Sequence, residues 1–170
     1  HMSGKSNADV GYLRIWDEQS LTFFPKGITN FFPKLVAIYI SNCKISALHD
    51  HELDPFNNLR WFAFESQPLE RIPGSLFANT PLVQRVHLYN NNIKHVGENL
   101  LTSLSQLTHA EFRNNSCVNQ RATNSSQLPA LIEHLRTNCT DIETSCGDIC
   151  DLEEQNQIIM QQNSGIKLQV

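Results

Sequence analysis

Apolar positions recur along the chain with a period of 24 residues. Leu35, Leu59, Val83 and Leu107 head successive rows. Ile38, Phe62, Val86 and Ala110 follow three residues on, and Ile40, Phe64, Leu88 and Phe112 two residues after that. Further columns hold Ile45, Leu69, Ile93 and Cys117, then Leu48, Ile72 and Val96, then Leu53, Phe77 and Leu101, and last Phe56, Thr80 and Leu104. The alternation at the head of each row predicts a short strand with every second side chain turned inward. One row cannot bury that face alone. The rows must stack, sharing one core and lining up their strands in parallel. Leu13-Arg14-Ile15 fits an earlier strand after a one-residue shift, with Phe24, Ile28 and Phe32 below it.

One column is polar. Cys43, Gln67, Asn91 and Asn115 stand where the chain must turn off the strand. An Asn side chain there both donates and accepts, so it satisfies backbone groups of its own loop and of a neighbouring one. Cys43 fills the slot as a small buried thiol, read as structural and free. Gln67 also departs from Asn, and Thr80 departs where the row favours an apolar residue. The whole pattern resembles the leucine-rich repeat, L-x-x-L-x-L-x-x-N-x-I/L, in its typical extracellular class, over about Leu13 to Cys139. The resemblance implies an α/β solenoid. Its parallel β-sheet lies on the concave side and short helices or 3-10 turns on the convex side, with a helical, disulfide-linked cap at the C-terminal end.

The last row breaks at Cys117. A polar stretch follows, Gln120 to Gln127, and then Leu128, Leu131, Ile132 and Leu135 recur at helical spacing. Pro129 suits the first turn of a helix. This helix is expected to cover the open core edge, pinned by a disulfide between Cys117 and Cys139. The expected organisation is residues 1–10 as a cloning remnant (His1-Met2) and flexible N-terminus, 11–116 as four to five repeats, 117–140 as the cap and 141–170 as a Cys-containing tail. No signal peptide is visible, which decides nothing about compartment.

In the tail, Ile149, Leu152, Asn156, Ile159, Asn163, Ile166 and Val170 fall at alternating intervals of three and four. That is an a/d heptad with Asn at two a positions. It reads either as a frayed polar tail or as the start of a coiled coil. Cys146 and Cys150 either pair with each other or cross-link to another chain, and two such ligands are too few for zinc. Sequons stand at Asn114, Asn124 and Asn138. Cysteines and sequons together favour a secreted, extracellular protein.

The order of repeats, Cys-linked helical cap, second Cys cluster and heptads resembles the secreted leucine-rich repeat immune molecules of insect haemolymph. The segment Phe112-Arg113-Asn114-Asn115-Ser116-Cys117-Val118-Asn119 carries that likeness in particular. The resemblance implies that repeat domain and coiled coil join two chains, with a disulfide in the Cys cluster, and that the complex holds a complement-like thioester protein. Cys146 or Cys150 is then the interchain link. The chain departs from the family in having only four or five rows and no visible N-terminal Cys cap.

Composition narrows the function. The 170 residues carry 13 basic and 17 acidic side chains, a net charge of -4, with no basic stripe to meet a nucleic acid. No apolar run of the length a membrane span needs is present. The 19 Leu belong largely to the stacked rows, and the 17 Asn partly to the polar column, the sequons and the heptads. No nucleophile-elbow, zinc-protease or phosphate-loop spacing occurs, so the expectation is no enzyme and no cofactor. His87, His109 and Glu111 on adjacent strands, and the run His49-Asp50-His51-Glu52, read as chance clusters rather than metal ligands. What remains is the outward side of the strands: Tyr39, Trp61, Glu65, Arg85, His87, Tyr89, His109, Glu111 and Arg113, joined by Tyr12, Arg14 and Trp16 if the shifted first row holds. Aromatic and Arg side chains are the usual interface anchors. The expected function is a secreted protein-recognition module that binds a protein through this face, in innate immunity, and assembles as a disulfide-linked or coiled-coil homo- or heterodimer. The alternative is an ectodomain fragment of a leucine-rich repeat receptor or adhesion protein.

Overall fold

The computed structural model describes residues 6–140. Its strands, in chain order, are β1 (Tyr12–Trp16), β2 (Ala37–Ser41), β3 (Trp61–Glu65), β4 (Arg71–Ile72), β5 (Arg85–His87), β6 (His95–Val96), β7 (His109–Glu111) and β8 (Arg121–Ala122). Helix α1 (Ile28–Phe31) is a single turn, and α2 (Leu128–Asn138) closes the C-terminal side. Strands β1, β2, β3, β5, β7 and β8 form one sheet in that order, while β4 and β6 pair in the connectors.

The row arithmetic becomes the sheet register. Ala37 lies opposite Trp61, Trp61 opposite Arg85, and Arg85 opposite His109, each 24 residues on and all parallel. The first pair is Tyr12 with Ala37, 25 residues apart, which is the one-residue shift read in the sequence. The inward columns are fully excluded from solvent: Ile38, Phe62, Val86 and then Ile40, Phe64, Leu88 and Phe112. Each such side chain contributes roughly 1.5–3 kcal/mol relative to exposure. Phe62 is the hub of an aromatic cluster, with Phe24, Phe64 and Phe77 rings 6.5, 6.0 and 5.7 Å from it.

Two polar columns fasten the rows. In the first, Asn91 accepts from the Gln67 backbone N–H at 2.7 Å and donates to the carbonyls of Phe64 and Leu88. Asn115 repeats this, accepting from the Ile93 N–H and donating to Leu88 and Phe112. Gln67 keeps part of the role, accepting from the Ile45 N–H and donating to its own strand at the Glu65 carbonyl. Cys43, buried and free, keeps one contact, its thiol 3.4 Å from the Ser41 carbonyl. The second column is Asp17, Asn42, Ser66, Asn90 and Asn114, one residue past β1, β2 and β3 and three past β5 and β7, all with φ between 51° and 58°. Asn tolerates this left-handed turn better than most residues. Asn42 donates to Asp17 at 2.6 Å and Asn90 to Ser66 at 2.9 Å, so the turn residues also bond from row to row.

The connectors are mostly turns. Between rows they approach so closely at Gly74 and Gly97 that a Cβ on Gly97 would lie 2.2 Å from the Gly74 nitrogen. The Gly97 N–H donates to the Ile72 carbonyl at 2.8 Å, which fixes this contact.

The cap carries two features. Helix α2 buries Leu128, Leu131 and Leu135, with Ile132 partly covered, on the face the spacing predicts. Pro129 sits in its first turn. Cys117 and Cys139 are disulfide-bonded, with Cα atoms 5.3 Å apart. The sheet differs from the all-parallel expectation at its end: β8 lies antiparallel to β7, pairing Ala110 with Ala122 and Glu111 with Arg121. Its residues come from the stretch that reads as featureless and polar in the sequence. The reversal follows from connection length, because about ten residues between β7 and β8 suffice for a hairpin return but not for a parallel crossover. Cys146, Cys150 and the heptad positions lie outside the described residues.

Candidate functional site

The side of the sheet turned away from the core carries every expected partner-binding residue. In one column stand Tyr12, Ala37, Trp61, Arg85 and His109. The next holds Arg14, Tyr39, Ala63, His87 and Glu111. Row spacing continues a third through Trp16, Ser41, Glu65, Tyr89 and Arg113. β1 does join the sheet, so Tyr12, Arg14 and Trp16 belong to the face.

The aromatic groups touch across strands. Tyr12 and Trp61 stack at 6.1 Å, one strand apart, over the small, buried Ala37 between them. Trp61 meets the edge of the His87 ring at 5.7 Å. Its indole nitrogen is buried and has no hydrogen-bond partner among the described residues. The Arg14 guanidinium lies 4.8 Å from the Trp16 ring and 5.0 Å from the Tyr39 ring. Such contacts stabilise by about 0.5–1 kcal/mol at exposed sites. Tyr12 and Trp16 remain 46% and 56% exposed, which places large apolar rings in water on this face.

Charge is distributed unevenly. Arg113 grips Glu111 with two bonds, Nε to Oε1 at 2.7 Å and Nη2 to Oε2 at 2.9 Å. Arg85, the first residue of β5, is exposed. His109 is half-buried, its ring nitrogen 2.8 Å from the Thr108 hydroxyl. Glu65 differs from the sequence expectation of a solvent-facing side chain: it is only 3% exposed, with His87 Nδ1 at 3.5 Å. Glu65 acts on its neighbour. Its negative charge, with smaller effects of burial, Tyr39 and Glu111, pushes the Tyr89 hydroxyl above its usual value of 10.0.

The clusters weighed for metal lie as follows. His87 faces Glu65, while Glu111 is held by Arg113 and His109 by Thr108. In the connector, the His49 N–H donates to Glu52, Asp50 accepts from Ser75, and His51 Nδ1 meets Asp54 at 3.0 Å. Among the described residues no three His, Cys, Asp or Glu side chains are grouped to hold a metal ion. No described helix is long and apolar enough to cross a membrane.

Of the sequon residues, Asn124 precedes the 3-10 turn Ser125–Gln127, is exposed, and accepts from Ser126 Oγ at 2.6 Å. Asn114 is a left-handed turn residue at the sheet end, and the Ser116 hydroxyl of its sequon bonds to Asn92 instead. Asn138 ends α2, where its amide donates to the His134 carbonyl and to Thr137.

No family model matches the sequence. Among solved structures the chain is similar to one in the structure of the Toll–Spätzle complex, described as a molecular hub in Drosophila development and innate immunity. The TM-score is 0.50 at 18% identity. The match covers 63% of this chain but only 14% of that one. At this identity the likeness speaks for architecture alone, and with the parallel register it shows a solenoid of the leucine-rich repeat type.

Proposed function

We propose that this chain is a secreted, extracellular protein-recognition module that binds a protein partner through the outward, concave face of its sheet. The observation that carries the reading is the aromatic and arginine set on that face, from Tyr12, Arg14 and Trp16 through Tyr39, Trp61 and Tyr89. Exposed rings and guanidinium groups on a rigid sheet supply contact area at small entropic cost. The Cys117–Cys139 bond and the sequons at Asn114, Asn124 and Asn138 support the extracellular setting. Innate immunity is the context favoured by the resemblance to insect secreted immune molecules. Assembly with another chain through Cys146 or Cys150 and the heptads rests on sequence alone. We assign no enzymatic role and no cofactor.

A second reading has its own support. The similarity to a chain of the Toll–Spätzle complex fits a receptor ectodomain, and this chain spans 14% of that chain's length. An apolar stretch of about 20 residues in the parent protein favours the receptor, and further heptads favour the assembly.

The test is affinity capture from extracellular fluid with the wild-type chain and with a Trp61→Ala, Tyr89→Ala double variant. Captured proteins are identified and their affinities for both forms measured. The double variant is expected to lose its partner. Equal affinity for both forms overturns the binding face. Electrophoresis of the secreted protein with and without reductant tests the interchain bond, and a monomer in both removes it.

A further inference from the structure

The carboxylates of this protein show an inversion. The exposed or half-exposed ones are well served: Glu111 by Arg113, Glu133 by Arg136, and Glu70 by Lys94 and Asn92. Glu65 is the most buried acid on the sheet, yet its carboxylate accepts no hydrogen bond from any described residue. Its one ion-pair neighbour among the described residues is the His87 ring nitrogen at 3.5 Å, a group that is charged only when protonated. Burying a carboxylate is costly unless it is paired and hydrogen-bonded. The chain holds cations on the same face but keeps them elsewhere. Arg14 is seated on Tyr39 and Trp16, and Arg113 is clasped by Glu111.

We propose that Glu65, framed by Tyr39, His87 and Tyr89, is the seat for a lysine or arginine side chain of the protein partner. This deepens, and rests on, the reading of the sheet as the binding face. Three features fit a cation. The carboxylate supplies opposite charge in a partly dehydrated setting, where the attraction is stronger than in water. The flanking rings offer π-faces, and Arg14 over Tyr39 is an in-chain example of a guanidinium held by one of them. Ser41, opposite Glu65 on β2, is small and brings no charge of its own to the carboxylate. A neutral or anionic group gains none of this from Glu65. The seat therefore selects a basic side chain at the end of β3, with the exposed Arg85 on the next strand for an acidic group of the same partner.

The experiment titrates the wild-type protein with the blocked peptide acetyl-Ala-Arg-Ala-amide and with its citrulline counterpart, which keeps the shape and lacks the charge. Binding is read from the Trp61 indole and Tyr89 ring resonances. The arginine peptide is expected to bind at least about tenfold more tightly than the citrulline peptide, and Glu65→Gln to lose that preference. Glu65→Gln is also expected to unfold at the same temperature as wild type or higher, because it removes an under-paired buried charge. A lowered melting temperature makes Glu65 a structural partner of His87 and overturns the proposal, as does an unchanged arginine preference or no response to either peptide. Ser41→Lys provides a second arm. Its ammonium is expected to occupy the seat, raise the melting temperature and block the arginine peptide, and undiminished peptide binding overturns the proposal. If the Trp61, Tyr89 double variant loses the protein partner while Glu65→Gln retains it fully, the face stands and the seat falls. If the double variant retains the partner, the broader reading fails.

Discussion

At the scale of single residues, the side chain that turns the chain off each strand decides how firmly neighbouring rows are tied. Asn91 makes three bonds, Gln67 two and Cys43 one. Asn91→Ala takes its partner from the Phe64 carbonyl and the Gln67 N–H and leaves the Leu88 carbonyl to Asn115 alone, so it is expected to cost about 2–4 kcal/mol in urea unfolding. Cys43→Ala, which removes one weak bond and a small volume, is expected to cost about 1 kcal/mol. Equal losses for the two would mean that the column works by packing and not by hydrogen bonding. A second residue-scale expectation concerns Tyr89. A phenolate there meets the charge of Glu65, so its titration midpoint lies above 10.0. In Glu65→Gln it is expected to move down toward that value, read from phenolate absorbance after subtraction of a Tyr89→Phe titration. The polar column at Cys43, Gln67, Asn91 and Asn115 is plain in the sequence. The left-handed column one residue before it is not, although Asp17, Asn42, Ser66, Asn90 and Asn114 are all polar. A single backbone angle leaves no mark on hydropathy, and only the mechanism of the turn would have drawn attention to that column.

Elements longer than a few residues announced themselves, and shorter ones did not. The five parallel strands and α2 follow from periods sustained over several positions. Strand β8 is two residues long, Arg121–Ala122, too short for any period to register. The β4–β6 pair is hidden for the same reason. It is nonetheless guarded by strict sterics. Because a Cβ on Gly97 would strike backbone and not a flexible side chain, Gly97→Ala is expected to lower stability by more than about 2 kcal/mol, measured by thermal unfolding. A melting temperature equal to wild type would show that the two connectors can separate freely. The cap depends on its cross-link. The Cys117–Cys139 bond closes a separation of 22 residues, and its removal by paired Cys→Ala substitution is expected to cost about 3 kcal/mol. Amide exchange should then rise first in α2 and β8, and uniform loss across the sheet would contradict a local role.

For the whole molecule, the sequence yields a stacked core with one decorated face, and the structure adds which parts of that face are already engaged. Alternation puts Glu65 on the outward side and therefore in water. The structure leaves it 3% exposed, with His87 Nδ1 3.5 Å away on β5 and Tyr89 near enough to feel its charge. Such cross-strand burial depends on several side chains at once and cannot be read from one strand. Sugar attachment also belongs at this scale, since a glycan covers surface well beyond its own residue. Asn124 is exposed on the cap, with its sequon hydroxyl already bonded to its amide oxygen, whereas the Asn138 amide is committed to α2. In protein secreted from eukaryotic cells, glycopeptide mass spectrometry is expected to find Asn124 occupied and Asn138 mostly bare. The reverse pattern would argue that the folded geometry has no say in the modification.

The antiparallel strand β8 has a consequence for how such a molecule can change length. Every seam between β1 and β7 joins strands of the same sense, so a duplicated block of 24 residues inserted there would extend the stack by one rung, about 4.8 Å, and meet matching surfaces on both sides. Beyond β8 the polarity is inverted, and a same-sense rung has nothing to copy. The hairpin return thus acts as a terminator of the series: the number of rungs is free to drift by duplication within the body, while the final rung is fixed.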